Sequence, residues 1–227
     1  VQRSGLLSME IEFSRRCNYK CPYCYVPRDS ELAGEMNRAA FRDVLRQARD
    51  LGARKIIVLG GEPTIYPHIL DMITFIRELD MTAEMFTNGS GIDGPFARQL
   101  AALGVRVVLK MNSFDAGIQD RLTGVPGSRA RIETALAHLQ AAGYPRENLF
   151  LAVSTIICQD NLAELPDLWR WLRDRDIAPY FEMITPQANA VDHPELEVPA
   201  EDIQRIFREI AAIDREAISK DRWWHRE

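Results

Sequence analysis

The chain of 227 residues is long enough for one well-buried domain and too short for two large ones. Its 46% hydrophobic and 27% charged residues are ordinary for a globular protein, and no run approaches the roughly 18 apolar residues of a membrane helix. The net charge of −5 offers no broad basic surface to a phosphate backbone, so nucleic acid and membrane are both poor candidates as partners. The first residues lack the pattern of a secretory signal, and we expect a cytoplasmic protein.

Apolar runs of strand length alternate with amphipathic stretches of helix length, which is typical of repeated βα units around a parallel sheet. Six strands are predicted, at about residues 9–13, 55–59, 82–86, 105–111, 149–157 and 179–184. Helices are predicted after each, at about 37–51, 69–79, up to 104, 128–142, 165–172 and from 200 onward. The pattern fits either a flat doubly wound sheet or an incomplete, laterally open barrel. Both arrangements place the chemistry at the carboxyl ends of the strands.

Three of the four cysteines, Cys17, Cys21 and Cys24, lie close together directly after the first predicted strand. Three thiols on one short loop cannot all pair internally, so metal ligation is a better interpretation than a disulfide framework. A structural zinc ion would need a fourth ligand, and the histidines and Cys158 are remote in sequence. A cubane iron–sulfur cluster held by three thiolates would leave one iron open to a substrate or cofactor.

The spacing C-x-x-x-C-x-x-C after the first strand resembles the signature of the radical S-adenosylmethionine (radical SAM) superfamily. Tyr23 stands at the aromatic position before the last cysteine, where the resemblance places it beside the adenine. The resemblance implies an α/β fold, a partial (β/α)6 TIM-like barrel with parallel strands. It also implies a [4Fe-4S] cluster held by Cys17, Cys21 and Cys24, with S-adenosylmethionine chelated at the open iron.

Two further segments at strand ends support the same resemblance. The second strand runs into a segment similar to the superfamily's GGEP motif, Gly60, Gly61, Glu62 and Pro63. Glycines let a backbone approach a ligand closely, and the resemblance implies that this strand edge and Glu62 receive the methionine amino group. The third strand ends in Thr87 and Asn88, similar to a T-N-G segment that lies near the cofactor in relatives.

Candidate cofactor contacts continue along the later strands. Lys110 stands where relatives often place a serine that contacts the ribose, so this contact either persists through Lys110 or passes to Ser113. Arg121 lies in a stretch similar to D-x-x-R-G, whose arginine binds the methionine carboxylate in some relatives; a surface salt bridge is the alternative. Ser154, on the fifth strand, is another candidate contact.

Two residues are candidates for catalysis. Glu182 lies in the apolar run of the sixth strand, where it either faces a polar lumen, which we favour, or pairs with a buried base such as Lys110. A lumen position would give Glu182 and Lys110 a role toward substrate or cofactor. Cys158 is predicted to be a small buried hydrophobic residue, and the sharper hypothesis is that it donates a hydrogen atom to a substrate radical, as in radical SAM epimerases.

The resemblance implies an enzyme that reductively cleaves S-adenosylmethionine to a 5′-deoxyadenosyl radical, which abstracts a hydrogen atom from the substrate. We expect a small-molecule substrate, a sugar or natural-product intermediate, in an epimerase, dehydrogenase or eliminase reaction, with flavodoxin or ferredoxin as electron donor. One alternative is a peptide-modifying maturase, which would normally carry a leader-peptide recognition domain before the first strand. The other is a non-catalytic iron–sulfur or zinc-binding module.

Two later segments, Asp167–Trp171 and Phe181–Pro186, resemble radical SAM enzymes with a C-terminal SPASM/twitch extension. No cysteine follows Cys158, so the auxiliary cluster of that group cannot be built from these residues. We expect residues 1–219 to form the radical SAM core domain, with residues 220–227 as a C-terminal remnant that would be the start of such an extension.

Overall fold

The fold is built on one sheet of six strands in the order β1-β2-β3-β4-β5-β6, in a computed structural model that describes residues 5–26 and 35–219. The strands are β1 (Ser8–Glu12), β2 (Lys55–Leu59), β3 (Thr82–Thr87), β4 (Arg106–Lys110), β5 (Leu151–Ile157) and β6 (Ala178–Met183). Pairing is parallel between β1 and β2, β2 and β3, β3 and β4, and β5 and β6. Between β4 and β5, the amides of Val107 and Met111 donate to the carbonyls of Phe150 and Ser154. The sequence separation of donor and acceptor is the same in both bonds, which is the pattern of a parallel strand pair.

Seven helices are described. They are α1 (Arg38–Asp50), α2 (Ile69–Glu78), α3 (Gly94–Ala102), α4 (Ala116–Thr123), α5 (Ser128–Ala141), α6 (Leu165–Arg173) and α7 (Ala200–Ser219). The sequential strand order lacks the reversal that defines a doubly wound sheet. The predicted fold class, six parallel βα units of a partial TIM-like barrel, is therefore confirmed.

Helix α4 is the element that the sequence analysis missed. It begins at the cap Asp115, whose carboxylate accepts a hydrogen bond from the Ile118 amide at 2.8 Å. It ends at Gly124, which has a left-handed φ of 66° that favours glycine. Because the helix has only eight residues and a weak apolar stripe, its periodicity is hard to recognise.

The chain divides into two compact units, each with its own core. The described residues of the first unit are 5–18, 35–109 and 131–150, and those of the second are 19–26, 110–130 and 151–219. In the first unit, Phe13 packs edge-on against Phe41 of α1, with ring centroids 5.0 Å apart. In the second, one apolar cluster joins β5, α6 and α7: Ile157, Leu162, Leu165, Ile206 and Ile210.

The first unit also contains a buried charge network on neighbouring strands. Glu84 of β3 is 8% exposed, and its two carboxylate oxygens pair with Lys55 of β2 at 3.2 Å and Arg106 of β4 at 2.7 Å. The Arg106 guanidinium also lies over the Phe150 ring, 3.7 Å from its centroid. A carboxylate at this depth requires such partners, because an unpaired buried charge is costly.

Two other predictions concern membrane spanning and the C-terminal residues. Among the described residues, no helix has both the length and the apolar character needed to cross a membrane. The predicted remnant at residues 220–227 lies outside the described residues.

We expect Glu84→Ala to lower the free energy of unfolding by about 2–3 kcal/mol, because it leaves two cations without their shared partner. The measurement is urea unfolding followed by circular dichroism. The control is Glu209→Ala, which removes an exposed partner of Arg205 and should change stability by less than about 1 kcal/mol. Equal losses in the two variants would contradict this account of the network.

Candidate functional site

The segment that leads to Cys17 lies directly against the glycines that follow β2. The amide of Gly61 donates to the Ser14 carbonyl at 2.9 Å, and the amide of Glu62 donates to the Arg16 carbonyl at 2.8 Å. A Cβ atom on Gly61 would collide with the Arg16 carbonyl, and one on Gly60, whose φ is +116°, would collide with that of Ser14. These glycines were predicted to allow the close approach of a ligand. In the structure they allow the close approach of the backbone of the cysteine-bearing loop.

Glu62 joins the end of β2 to the end of β3. Its side chain is buried, and one carboxylate oxygen accepts hydrogen bonds from the Thr64 amide (3.0 Å), the Thr64 hydroxyl (2.6 Å) and the Thr87 hydroxyl (2.6 Å). The other oxygen accepts from the Asn88 amide at 2.7 Å. Burial raises the pKa of Glu62 despite these bonds, which favour the ionised form. The structure thus brings together Glu62, Thr87 and Asn88 at the ends of β2 and β3, with the buried Pro63 beginning the next turn; their contact with the cofactor stays a prediction.

A second contact ties the cysteine loop to the end of β3. The Asn88 side-chain amide donates to the Asn18 side-chain oxygen at 2.9 Å, and Asn18 in turn donates to the Ser90 hydroxyl at 2.7 Å. Asn18 follows Cys17 directly in sequence. Its role was missed because an asparagine between two cysteines carries no signal for a partner some 70 residues away.

In the second unit, backbone contacts hold the part of the loop that carries Cys21 and Cys24. The amide of Lys20 donates to the Thr123 carbonyl at 3.0 Å. The amide and side chain of Asn189 donate to the carbonyls of Cys24 (3.2 Å) and Cys21 (3.3 Å). These bonds use the backbone, and the Cys21 thiol itself donates to the Thr123 carbonyl at 3.8 Å.

The three thiols fit the ligand set of an iron–sulfur cluster. All are free of disulfides; Cys17 is exposed, and Cys21 and Cys24 are partly exposed. Within residues 5–26 and 35–219, no group of three or more His, Cys, Asp or Glu is arranged to hold a single metal ion. A cubane cluster does not need that arrangement, because each thiolate bonds to a different iron atom.

Tyr23 is partly buried and lies near two of these cysteines, Cys21 and Cys24. Its hydroxyl accepts a hydrogen bond from the Asn112 side-chain amide at 2.8 Å. Burial raises the pKa of Tyr23 well above its usual range, and the negative charges of Cys21 and Cys24 raise it further. The phenol therefore stays protonated and neutral at physiological pH.

One polar cluster is formed by Lys110 at the end of β4, Ser154 in the middle of β5 and Glu182 near the end of β6. The Lys110 ammonium donates to the Ser154 hydroxyl at 2.9 Å and pairs with a Glu182 oxygen at 3.0 Å; Ser154 donates to the same oxygen. The ammonium also lies 5.5 Å from the centre of the Tyr23 ring. Burial alone would raise the pKa of Glu182, but the Lys110 charge and the two hydrogen bonds outweigh it and lower the pKa. Glu182 therefore pairs with Lys110, the alternative given for it, while its side chain remains 38% exposed; its role toward substrate or cofactor stays a prediction.

Two predicted cofactor contacts are used elsewhere. Ser113 is fully buried and donates to Glu164 at 2.8 Å, so the alternative that the ribose contact passes to Ser113 is not supported. Arg121, with a side chain 59% exposed, pairs with Asp160 at 2.9 Å, which is the surface salt bridge given as its alternative. Neither Glu164 nor Asp160 was singled out from the sequence, because acidic residues are common at exposed loop and helix positions.

Cys158 is a fully buried core residue. It packs in an apolar cluster with Leu122, Ile156 and Leu196. Its thiol donates to the Asn161 side-chain oxygen at 3.4 Å, and burial raises the thiol pKa. The burial of Cys158 agrees with the structural interpretation, and the hydrogen-donor hypothesis stays a prediction.

Comparison of the sequence with known proteins identifies a matching family and curated relatives. The family model described as "Radical SAM superfamily" matches residues 11–172. The PqqA peptide cyclase of Gluconobacter oxydans (strain 621H) is 27% identical over 74% of this chain and 46% of that protein. The PqqA peptide cyclase of Streptomyces rochei is 32% identical over 68% of this chain and 41% of that protein. The chain therefore spans less than half the length of these curated relatives.

Solved structures show the same fold. Streptococcus suis SuiB bound to S-adenosylmethionine has a TM-score of 0.79 and 19% identity, over 94% of this chain and 48% of that one. The anSMEcpe enzyme with bound AdoMet and the Kp18Cys peptide has a TM-score of 0.77 and 14% identity, over 95% of this chain and 62% of that one.

We expect Gly61→Ala to lower the free energy of unfolding by at least about 2 kcal/mol, because the new methyl group collides with the Arg16 carbonyl. Iron bound per chain after anaerobic reconstitution should fall by about half or more, since the loop that carries the cysteines is displaced. The control is Gly94→Ala in α3, where the nearest atom to the new carbon belongs to a flexible arginine at 3.4 Å. Full iron binding by the Gly61→Ala variant would contradict the close-approach argument.

We expect Glu182→Gln to reduce stability by about 1 kcal/mol at pH 7 and by progressively less as the pH falls below about 4. The folded pKa of Glu182 is lowered, so its ion pair contributes above the unfolded pKa of about 4.3 and is lost as pH falls through the folded pKa. Urea midpoints at several pH values test this, with Glu209→Gln as an exposed control. A difference that does not change with pH would count against the ion pair.

Proposed function

The chain belongs to the radical SAM superfamily, and from this premise we propose that it is the core of a radical SAM enzyme that modifies a peptide. The superfamily's cofactors are a [4Fe-4S] cluster and S-adenosylmethionine, as the resemblance implied. One observation carries the peptide substrate: the curated relatives that match most of this chain are peptide cyclases. The reaction carried out by this protein is part of the proposal, because the chain spans less than half of those relatives.

The expectation of a sugar or other small-molecule substrate is wrong. The relatives that overturn it are the PqqA peptide cyclases. Among the fold neighbours, SuiB is solved with the precursor peptide SuiA, and anSMEcpe with two peptides. The alternative of a peptide-modifying maturase takes its place.

We assign the cluster to Cys17, Cys21 and Cys24, with the adjacent strand ends facing S-adenosylmethionine. When bound, the cluster and S-adenosylmethionine supply a 5′-deoxyadenosyl radical that abstracts hydrogen from the substrate. The chain's contribution is to hold the thiols in place and to orient the reacting groups. Support for this assignment comes from the backbone hydrogen bonds that hold the residues before Cys17 to Gly61 and Glu62.

The cluster of Lys110, Ser154 and Glu182 provides the polar groups for orientation. Because the pKa of Glu182 is lowered, this carboxylate is ionised at neutral pH and is a weak base. It is therefore suited to accept a hydrogen bond from a cofactor hydroxyl or a peptide amide, and less suited to remove a proton. Lys110 and Ser154 both donate to one oxygen of the Glu182 carboxylate. These bonds fix the orientation of the carboxylate group, and therefore the position of its second oxygen.

Two further proposals concern the cellular setting. Flavodoxin or ferredoxin is the proposed electron donor, because reductive cleavage of S-adenosylmethionine requires one electron. A cytoplasmic location is proposed because the cluster is sensitive to oxygen. Neither proposal affects the assignment of the site.

The first test is anaerobic reconstitution of the protein and of Cys17→Ala, followed by iron and sulfide analysis and measurement of 5′-deoxyadenosine after reduction with dithionite. We expect about four irons per chain and 5′-deoxyadenosine from the wild type, and loss of 5′-deoxyadenosine from the variant. The same assay with a proteolytic digest of perdeuterated bacterial protein should place deuterium in 5′-deoxyadenosine. A mixture of perdeuterated sugars is the comparison and should give none.

Each outcome separates the competing functions. Deuterium transfer from sugars and not from peptides would overturn the peptide proposal while leaving the radical chemistry intact. A loaded cluster that never cleaves S-adenosylmethionine would favour the non-catalytic iron–sulfur module. Zinc in place of iron would favour a zinc-binding module.

A further inference from the structure

Glu35 contacts the start of the cysteine loop from a distant position in the sequence. One of its carboxylate oxygens accepts hydrogen bonds from the Ser14 hydroxyl at 2.9 Å and from the Arg15 amide at 3.1 Å. The Ser14 hydroxyl in turn accepts a hydrogen bond from the Arg16 amide at 3.1 Å. A single carboxylate oxygen therefore fixes the three residues that precede Cys17.

The three cysteines all lie between the two ends of this contact. Ser14 precedes Cys17 by three residues, and Glu35 comes eleven residues after Cys24. The contact therefore joins two chain positions that flank the three cysteines. All of its members belong to the first unit.

Glu35 is itself held in place by the start of α1. It lies two residues before Asn37, whose side chain accepts a hydrogen bond from the Ala40 amide and caps the helix. Helix α1 then packs Phe41 against Phe13, the residue before Ser14. The carboxylate is therefore presented from a fixed support.

The contact is complementary to the one made by the glycines. Gly61 and Glu62 bind the carbonyl groups of Ser14 and Arg16, whereas Glu35 binds the amide of Arg15 and the hydroxyl of Ser14. The backbone before Cys17 is thus held on its carbonyl side by one segment and on its amide side by another. Removing either set of hydrogen bonds leaves the backbone that leads to Cys17 with fewer constraints.

We propose that Glu35 is a positioning residue for the iron–sulfur cluster, which it serves by fixing Ser14–Arg16 and hence Cys17; the inference rests on the proposed function. Its role depends on an acceptor oxygen at the right reach and not on its negative charge. Gln keeps that oxygen and that reach, Asp shortens the side chain by one methylene, and Ala removes the acceptor.

The test compares Glu35→Ala, Glu35→Gln and Glu35→Asp in the full chain. The first readout is amide hydrogen exchange in the protein before cluster assembly, at Arg15 and Arg16, and the second is the rate of iron release to a chelator after reconstitution. We expect both rates to rise about fivefold or more in Glu35→Ala, the change that corresponds to loss of one hydrogen bond. Glu35→Gln should restore wild-type rates, and Glu35→Asp should not.

A matched control shows whether the effect is local. Asp93→Ala removes another exposed carboxylate of the first unit, one that accepts a hydrogen bond from the Phe96 amide at 2.8 Å. Its exchange at Arg15 and its iron release should equal those of the wild type. Equal changes in Asp93→Ala and Glu35→Ala would overturn the proposal, because they would indicate general loss of stability.

Two other results would also overturn it. Wild-type rates in Glu35→Ala would show that the contact does not constrain the loop. Impairment of Glu35→Gln as large as that of Glu35→Ala would show that charge, and not position, matters. If the wild type itself takes up no iron, the proposed function fails, and the exchange rates still show whether Glu35 holds the loop.

Discussion

The site depends first on the close approach of two backbone segments, Ser14–Arg16 and Gly60–Glu62. Hydrogen bonds of 2.9 and 2.8 Å join them, and a side chain at either glycine would collide with a carbonyl oxygen. The two glycines suggest contact with a ligand, but they are also required by this contact within the chain. Because the cysteine loop lies on this strand end, the position of Cys17 follows from the position of β2.

Glu62 and Glu182 show two different ways to keep a carboxylate within a folded site. Glu62 is surrounded by neutral donors, which do not fully offset burial, and its pKa is raised. Glu182 has a cation beside it and is less buried, and its pKa is lowered. This contrast agrees with their surroundings: Glu62 connects strand ends, whereas Glu182 retains exposed surface. Only the second is placed to meet a ligand as an ion.

Much of the fold could be predicted because its signals are local. The periodicity of apolar residues located all six strands to within two residues, and the strand β2 had the predicted bounds. The three cysteines and the segments around Glu62 and Thr87 were recognised by their resemblance to motifs of the radical SAM superfamily. By contrast, the partners of Lys110 and Ser113 lie 72 and 51 residues away in sequence. No local pattern specifies which of many acidic residues closes such a pair, so the roles of Glu182 and Ser113 required the structure.

The cysteine loop is held in position by several weak hydrogen bonds, and the burial of apolar side chains contributes little. Tyr19 and Val26 are its buried apolar residues among those described, while Cys17 is exposed. The bonds that hold the approach to Cys17 go to backbone atoms of Ser14, Arg15 and Arg16, each contributing about 1 kcal/mol. None of these bonds involves the sulfur atom of Cys17. The substitution Cys17→Ala leaves each of these bonds in place, because their donors and acceptors belong to other residues.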